Sequence, residues 1–297
     1  MKRHTSMSAR GSAQLAVATL AAFSLLVVAA STAQAAVADV PLGTAGTFVV
    51  LADTAITNTG PTTLNGDIGN GPSAASSPGY GGALTINGTD HAGDGVTLGA
   101  KGDLTAAYLV AAGETPVTGT ISADLAGQTL PPGIYDEGST MNITGPTALV
   151  LDAGGDPNAI WVFQAGSDLV VGSDTTVSLR NGAQVCHVYW QVTSSASLGT
   201  NAHFIGTILA LTSITLDTGA TIQGRALARN GDVTMDSNTI TRVPCAAAPS
   251  GGVGTGDGST SQGGANNTLY LLGGAVVLAV LASAVIVADR RRRNVSI

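Results

Sequence analysis

Threonine pairs three residues apart are the recurrent chemical feature of this chain: Thr59 with Thr62, Thr144 with Thr147 and Thr218 with Thr221, each in the phrase Thr-Gly-x-Thr. Looser versions are Ser173 with Thr176, Thr200 with His203, and Ser237 with Thr239. A threonine offers a hydroxyl, a methyl and no group that titrates near neutrality. The groups that turnover needs are sparse. Asp90, His91 and Asp94 form the densest polar cluster, and they stand where a helix should begin, where acids cap free N–H groups and complement the dipole. His187 alternates with apolar neighbours on a strand and reads as surface. There is no Gly-x-Ser-x-Gly, no His-Glu-x-x-His and no run of metal ligands. No enzyme is expected, and no catalytic residue, cofactor or metal.

The elements that must position these threonines announce themselves by repetition. Ser197 to Gly206, Thr215 to Gly224 and Thr234 to Thr241 repeat one pattern: an apolar residue, a small polar group built around threonine, another apolar residue, often a glycine. The lines recur 18 to 19 residues apart, about the length of one coil of a β-solenoid and too short for a propeller blade or a helical repeat. Stacked coils would carry equivalent side chains in straight files. With 10% charged residues, 4% aromatic and 40 glycines among 297, the chain lacks the large side chains that fill a thick core, whereas narrow coils need only small and β-branched ones inside.

Both ends read as topogenic. Lys2, Arg3 and Arg10 precede an apolar run from Leu15 to Ala30, and Ala33-Gln34-Ala35 has the small-x-small form of a signal-peptidase site, so 1–35 is expected to be a signal peptide. Leu269 to Ala288 is 20 residues without a charge, enough to cross a ~30 Å hydrocarbon core. Arg290, Arg291, Arg292 and Arg293 follow. By the positive-inside rule the tail 289–297 is expected in the cytoplasm and everything before the span outside. Residues 246–268 form a Gly/Ser-rich tether with a flexible span of roughly 25 to 30 Å. The expectation is an exported, single-pass anchored, monomeric protein.

The folded part, 36–245, carries five basic residues against seventeen acidic ones. Phosphate backbones would be repelled, which sets nucleic acid aside as a partner. Both cysteines, Cys186 and Cys245, lie in this exported part, where disulfides persist. A bridge between them would close a loop of about 60 residues, worth roughly 4 kcal/mol in the chain-entropy model. Short β-branched runs separated by Gly, Asp, Asn and Pro fill most of the segment. The exception is a helix expected over about 90–112, where Val96, Ala100, Leu104, Ala107 and Ala111 share one face despite four glycines.

The phrases PLGTAGTFVVLADTAITNTGPTTLNGDIG (41–69), GDLTAAYLVAAGETP (102–116), LPPGIY (130–135), GDPNAIWVFQAGSDL (155–169), NGAQVCHVYWQV (181–192) and ILALTSITLDTGATIQGRALARNGDVTMDSNTIT (208–241) closely resemble the ice-binding-like family of secreted microbial proteins. The resemblance implies a mainly β fold: an irregular, discontinuous right-handed β-solenoid of triangular section, its coils stacked out of sequence order, with one long α-helix alongside. It also implies an ice crystal surface as partner, met by a flat face of Thr-Ala/Gly-x-Thr/Asn phrases whose methyls order water and whose hydroxyls anchor it. Carried onto this sequence, the candidate face is Thr59, Thr62, Thr144, Thr147, Thr176, Thr200, Thr218, Thr221 and Thr239. Asp174 and His203 are expected to interrupt it. A spacing of three cannot put both partners on one face of an unbroken strand, so one of each pair should sit at a corner.

The rival expectation is a cell-surface adhesin on the same scaffold, with Trp161, Tyr189 and Trp190 stacking on a glycan. It requires an exposed aromatic or polar groove, where the ice reading requires a flat threonine face.

Overall fold

Apolar-x-apolar triplets such as Ile214-Thr215-Leu216 and Val233-Thr234-Met235 become three- and four-residue strands because successive side chains alternate between the two faces of a pleat, burying two and exposing one. The computed structural model describes residues 37–71, 80–119 and 121–246, and its compact unit ends at Ala246. In chain order the strands are β1 (Phe48–Ala52), β2 (Ile56–Thr59), β3 (Pro61–Asn65), β4 (Asp67–Asn70), β5 (Ala83–Ile86), β6 (Thr129–Leu130), β7 (Gly133–Glu137), β8 (Met141–Ile143), β9 (Leu149–Asp152) and β10 (Trp161–Ala165). They continue with β11 (Leu169–Val171), β12 (Val177–Arg180), β13 (Val188–Val192), β14 (Ala196–Leu198), β15 (His203–Ala210), β16 (Ile214–Leu216), β17 (Thr221–Ala228), β18 (Val233–Asp236) and β19 (Thr239–Thr241).

These strands build a β-solenoid with three sheets. One sheet runs β5-β3-β19-β17-β15-β13-β10-β7, with β1 on β17 and β4 on β1; a six-stranded sheet runs β2-β18-β16-β14-β11-β8; a third runs β12-β9-β6. The coil β1-β2-β3, first in sequence, stacks on the late coil β17-β18-β19, through Val50↔Ala226, Thr57↔Thr234 and Thr63↔Thr239. The out-of-order stacking that the family resemblance implied is therefore present. Inside, Tyr135, Phe163 and Trp190 form a file with centroid separations of 5.4 and 3.9 Å, continued by Ile208 on β15 and Ala226 on β17, while Phe204, nearer the start of β15, packs against Trp190 at 5.0 Å.

Helix α1 (Gly95–Gly113) covers the outer side of the large sheet. It carries the chain from one end of the stack to the other, and its 19 residues match the job: ~28 Å of helix against six inter-strand steps from β4 to β7 of ~4.8 Å each. The start differs from the expected position near residue 90, because the Asp94 carboxylate accepts the Thr97 N–H at 2.9 Å and so fixes the first turn. The buried face is Thr97, Ala100, Leu104, Ala107, Tyr108 and Ala111; Val96, assigned to it from the sequence, points to solvent. At the far end the buried Gln164 amide donates to the Ala111 and Glu114 carbonyls, at 2.7 and 3.1 Å, satisfying groups that the helix leaves free.

Cys186 and Cys245 are bridged. Since β17 and β15 lie between β19 and β13 in the sheet, residues 242–245 cross both strands to reach Cys186, and the Ala246 N–H donates to the Gln184 side chain.

The expectation of a single-pass anchored protein is corrected here. Among the described residues no helix is long and apolar enough to cross a membrane. The run 269–288 that carried the expectation lies outside the described residues, as do 1–35, the tail 289–297 and all of the tether beyond Ala246.

Candidate functional site

Parallel register turns the repeating sequence into files. On the six-stranded sheet the outward residues Thr57, Thr234, Thr215, Ser197, Val170 and Asn142 stand opposite one another in consecutive strands. None is charged. The residues on either side of each point inward and are buried, all apolar except Asn58 beside Thr57, which holds the file straight, and Thr57 Oγ1 donates to Thr234 Oγ1 at 3.2 Å. Acids border the file without entering it. Asp168 and Asp232 lie on one margin, held by the Ser195 N–H and the Ser213 hydroxyl; Asp236 lies on the other, holding the Thr218 hydroxyl. The Ser195 N–H and neighbouring serine hydroxyls keep the Asp168 carboxyl below the usual carboxylate range.

A second file lies across the corner on the next face: Thr85, Thr63, Thr239, Thr221, His203 and Thr176. Two residues along, Asn65, Thr241 and Gln223 make a parallel column, with the Asn87 amide bonded to Asn65 and the Asn65 amide to Thr241, both at 2.8 Å. The mesh is ~4.8 Å between rungs by ~6.7 Å along the strand.

In five successive coils the corner between the two faces takes a left-handed residue. Gly60, Ser237, Gly219, Asn201 and Asp174 supply it, with φ of 76°, 56°, 76°, 57° and 58°; Asn and Asp are the non-glycine residues that enter this region most readily. Main-chain bonds climb from coil to coil there: Ser237 N–H to Thr59 O, Gly219 to Asp236, Asn201 to Thr218 and Asp174 to Thr200, all 2.8 to 3.0 Å.

The nine threonines chosen from the sequence are thus divided. Thr176, Thr221 and Thr239 share the second file. Thr59, Thr144, Thr200 and Thr218 are exposed at the corner, where Thr144 donates to Asp124 at 2.6 Å. Thr62 is 1% exposed and points inside. Thr147 is exposed but one residue short of the file position, which Ala148 occupies ahead of the Leu149↔Val177 pair. The physical reason is register: Thr144 directly follows Ile143, which stacks through Val171 and Leu198 to Leu216, whereas Thr218 lies two residues beyond Leu216. The same phrase therefore falls one place earlier in the 59–62 and 144–147 coils than at 218–221. Asp174 stands at the corner rather than in a file, while His203 does interrupt one. Sequence reasoning missed Thr57, Thr215, Thr234 and Ser197, although the last three are each the middle of an apolar-x-apolar triplet and alternation marks them as outward; Thr57 lacks that signal, because the inward residue after it is Asn58.

The other candidates resolve differently. Trp161, Tyr189 and Trp190 are all buried; the indoles donate to the Leu130 and Ile205 carbonyls and the Tyr189 hydroxyl to Asp39. His91 Nδ1 lies 2.8 Å from Asp94, which caps the helix. His187 ends a short 3-10 turn beside the bridged cysteines, whose sulfurs are committed to each other.

With this geometry in view, residues 50–241 match the family model described as Ice-binding-like. The chain belongs to the Ice-binding-like family. An ice-binding protein of Nostoc sp. (strain HG1) is 44% identical over 205 residues, covering 68% of this chain and 74% of the relative. One from Flavobacterium frigoris (strain PS1) is 34% identical over 220 residues, covering 68% and 76%. The crystal structure of an ice-binding protein from an Antarctic biological consortium matches with a TM-score of 0.65 at 43% identity, covering 70% of this chain and 93% of that one. The Ice-binding-like match spans β2 through β19 and so contains both threonine files and the corner between them.

Proposed function

We propose that this chain adsorbs to ice through the two threonine files and the corner that joins them, and that it thereby retards recrystallisation. The observation that carries the reading is the unbroken parallel register from Thr57 to Asn142 on one face and from Thr85 to Thr176 on the next. It fixes methyls and hydroxyls at a constant pitch on a buried, mostly apolar floor. Each contact with a crystal face is weak, but the array meets it with no ordering cost of its own, so the contacts can add. The names of the relatives support the same reading. Burial of Trp161, Tyr189 and Trp190 removes the aromatic platform that the glycan-adhesin reading relied on.

The test is ice recrystallisation with the purified protein beside Thr215→Tyr and Thr239→Tyr, one variant for each face, with circular dichroism to verify folding. Suppression of grain growth by the wild type, weakened in each folded variant, supports two working faces. Weakening in only one assigns the activity to that face. A folded wild type that leaves grain growth unchanged ends the reading.

A further inference from the structure

The files cross one irregular coil, and the way they survive it singles out a residue. Eight residues run from Ile214 through Thr221, from Ala196 through His203, from Leu169 through Thr176 and from Ile56 through Thr63; only seven run from Val233 through Thr239. Yet both ends of that short coil stay in register with both neighbours: Ile214↔Val233↔Ile56 on the six-stranded face and Thr221↔Thr239↔Thr63 on the next. A missing residue should shift one file or the other by a position, exchanging outward for inward side chains.

Asn238 occupies the inside of that corner, 1% exposed. Its Nδ2 donates to the Asp217 and Ala220 carbonyls, each at 2.9 Å, and its Oδ1 accepts the Asp236 N–H at 2.6 Å. Its main chain is committed too, the N–H donating to the buried Thr62 hydroxyl at 3.0 Å and the carbonyl accepting the Thr63 N–H at 2.9 Å. A primary amide has the donor and acceptor of a peptide group. We propose that Asn238 is a positioning residue for ice adsorption: its side-chain amide stands in for the absent peptide unit and keeps Thr234 and Thr239 in their files. Its functional consequence rests on the ice reading above. The same arrangement gives Thr62 its role, as the internal acceptor for this residue rather than as part of a face.

The neighbouring coil supplies the repair. Replacing Asn238 by the dipeptide Gly-Ala turns Asp-Ser-Asn-Thr into Asp-Ser-Gly-Ala-Thr, the pattern of Asp217-Thr218-Gly219-Ala220-Thr221. In the full chain, Asn238→Ala is expected to lose recrystallisation inhibition several-fold and to exchange the Thr239 amide hydrogen faster. Asn238→Leu, which keeps the volume without the amide, should behave the same way. The Gly-Ala replacement should recover both readouts, because chain length rather than volume is what the amide replaces. Recovery by Leu, wild-type behaviour of the Ala variant, or a Gly-Ala protein that neither folds nor recovers would overturn the proposal. If Asn238→Ala does not fold, the Gly-Ala protein decides alone. An inert wild type would end the ice reading, and hydrogen exchange at Thr239 would still decide whether Asn238 positions the file.

Discussion

His203 Nδ1 lies 2.9 Å from Thr221 Oγ1, one coil apart on the same outward file, so an imidazole occupies the place that the repeat gives to threonine. Thr85, Thr63, Thr239 and Thr221 precede it in unbroken order and Thr176 follows. His203→Thr should therefore lengthen the array and raise recrystallisation inhibition at matched concentration without changing the melting temperature. No gain in a folded variant would show that this file does not reach ice.

Thr62 is interior, and removing its hydroxyl should act on stability. Thr62→Val leaves the Asn238 N–H without its acceptor, at a cost of about 1 to 3 kcal/mol. Urea titration measures this. Any loss of ice activity should follow stability and register, whereas Thr215→Tyr should lose activity with stability intact.

Trp190 is packed between Phe163, at 3.9 Å between centroids, and Phe204, at 5.0 Å, with its indole N–H on the Ile205 carbonyl. Trp190→Ala should cost ~3 to 5 kcal/mol, read as a lowered denaturation midpoint. An unchanged midpoint would show that the aromatic file contributes little.

The Cys186–Cys245 bridge spans a sequence separation of 59. Replacing both by serine should cost roughly 4 kcal/mol in the chain-entropy model, seen by calorimetry. The six-stranded face lies away from the crossing segment, so Thr215 should keep its contribution to adsorption in the bridge-free protein while that protein remains folded.

Acid should unfold this protein. Hydrogen bonds from the Thr44 hydroxyl and N–H hold the Asp103 carboxyl low, the Ser195 N–H does so for Asp168, and for Asp124 the bonds from Thr144 and Ala126 outweigh a burial that pushes the other way. Folded values below the unfolded ones give stability that is present above the unfolded pKa of ~3.9 and lost as pH falls through the folded values. Melting temperature should be level near neutrality with respect to these groups and drop below about pH 4. A rise on acidification would contradict the assignment.

The amino-acid sequence by itself determined that this chain coils: an 18- to 19-residue repeat, small β-branched side chains and scarce aromatics admit a narrow solenoid, and the 3.6-residue periodicity placed one helix to within a few residues. It also paired the cysteines, since only two exist. What it left open was which threonines share a face. Thr-Gly-x-Thr reads identically at 59–62 and 218–221, yet Thr62 is inside and Thr221 outside, because a side chain's direction is set by its register against the coils above and below. Those neighbours are distant in sequence, the first coil lying on the last, so no local pattern contains the information. The triplets around Thr215 and Thr234 were legible by alternation alone; that they align into one file, with Thr57 beside them, was decided only when the strands paired.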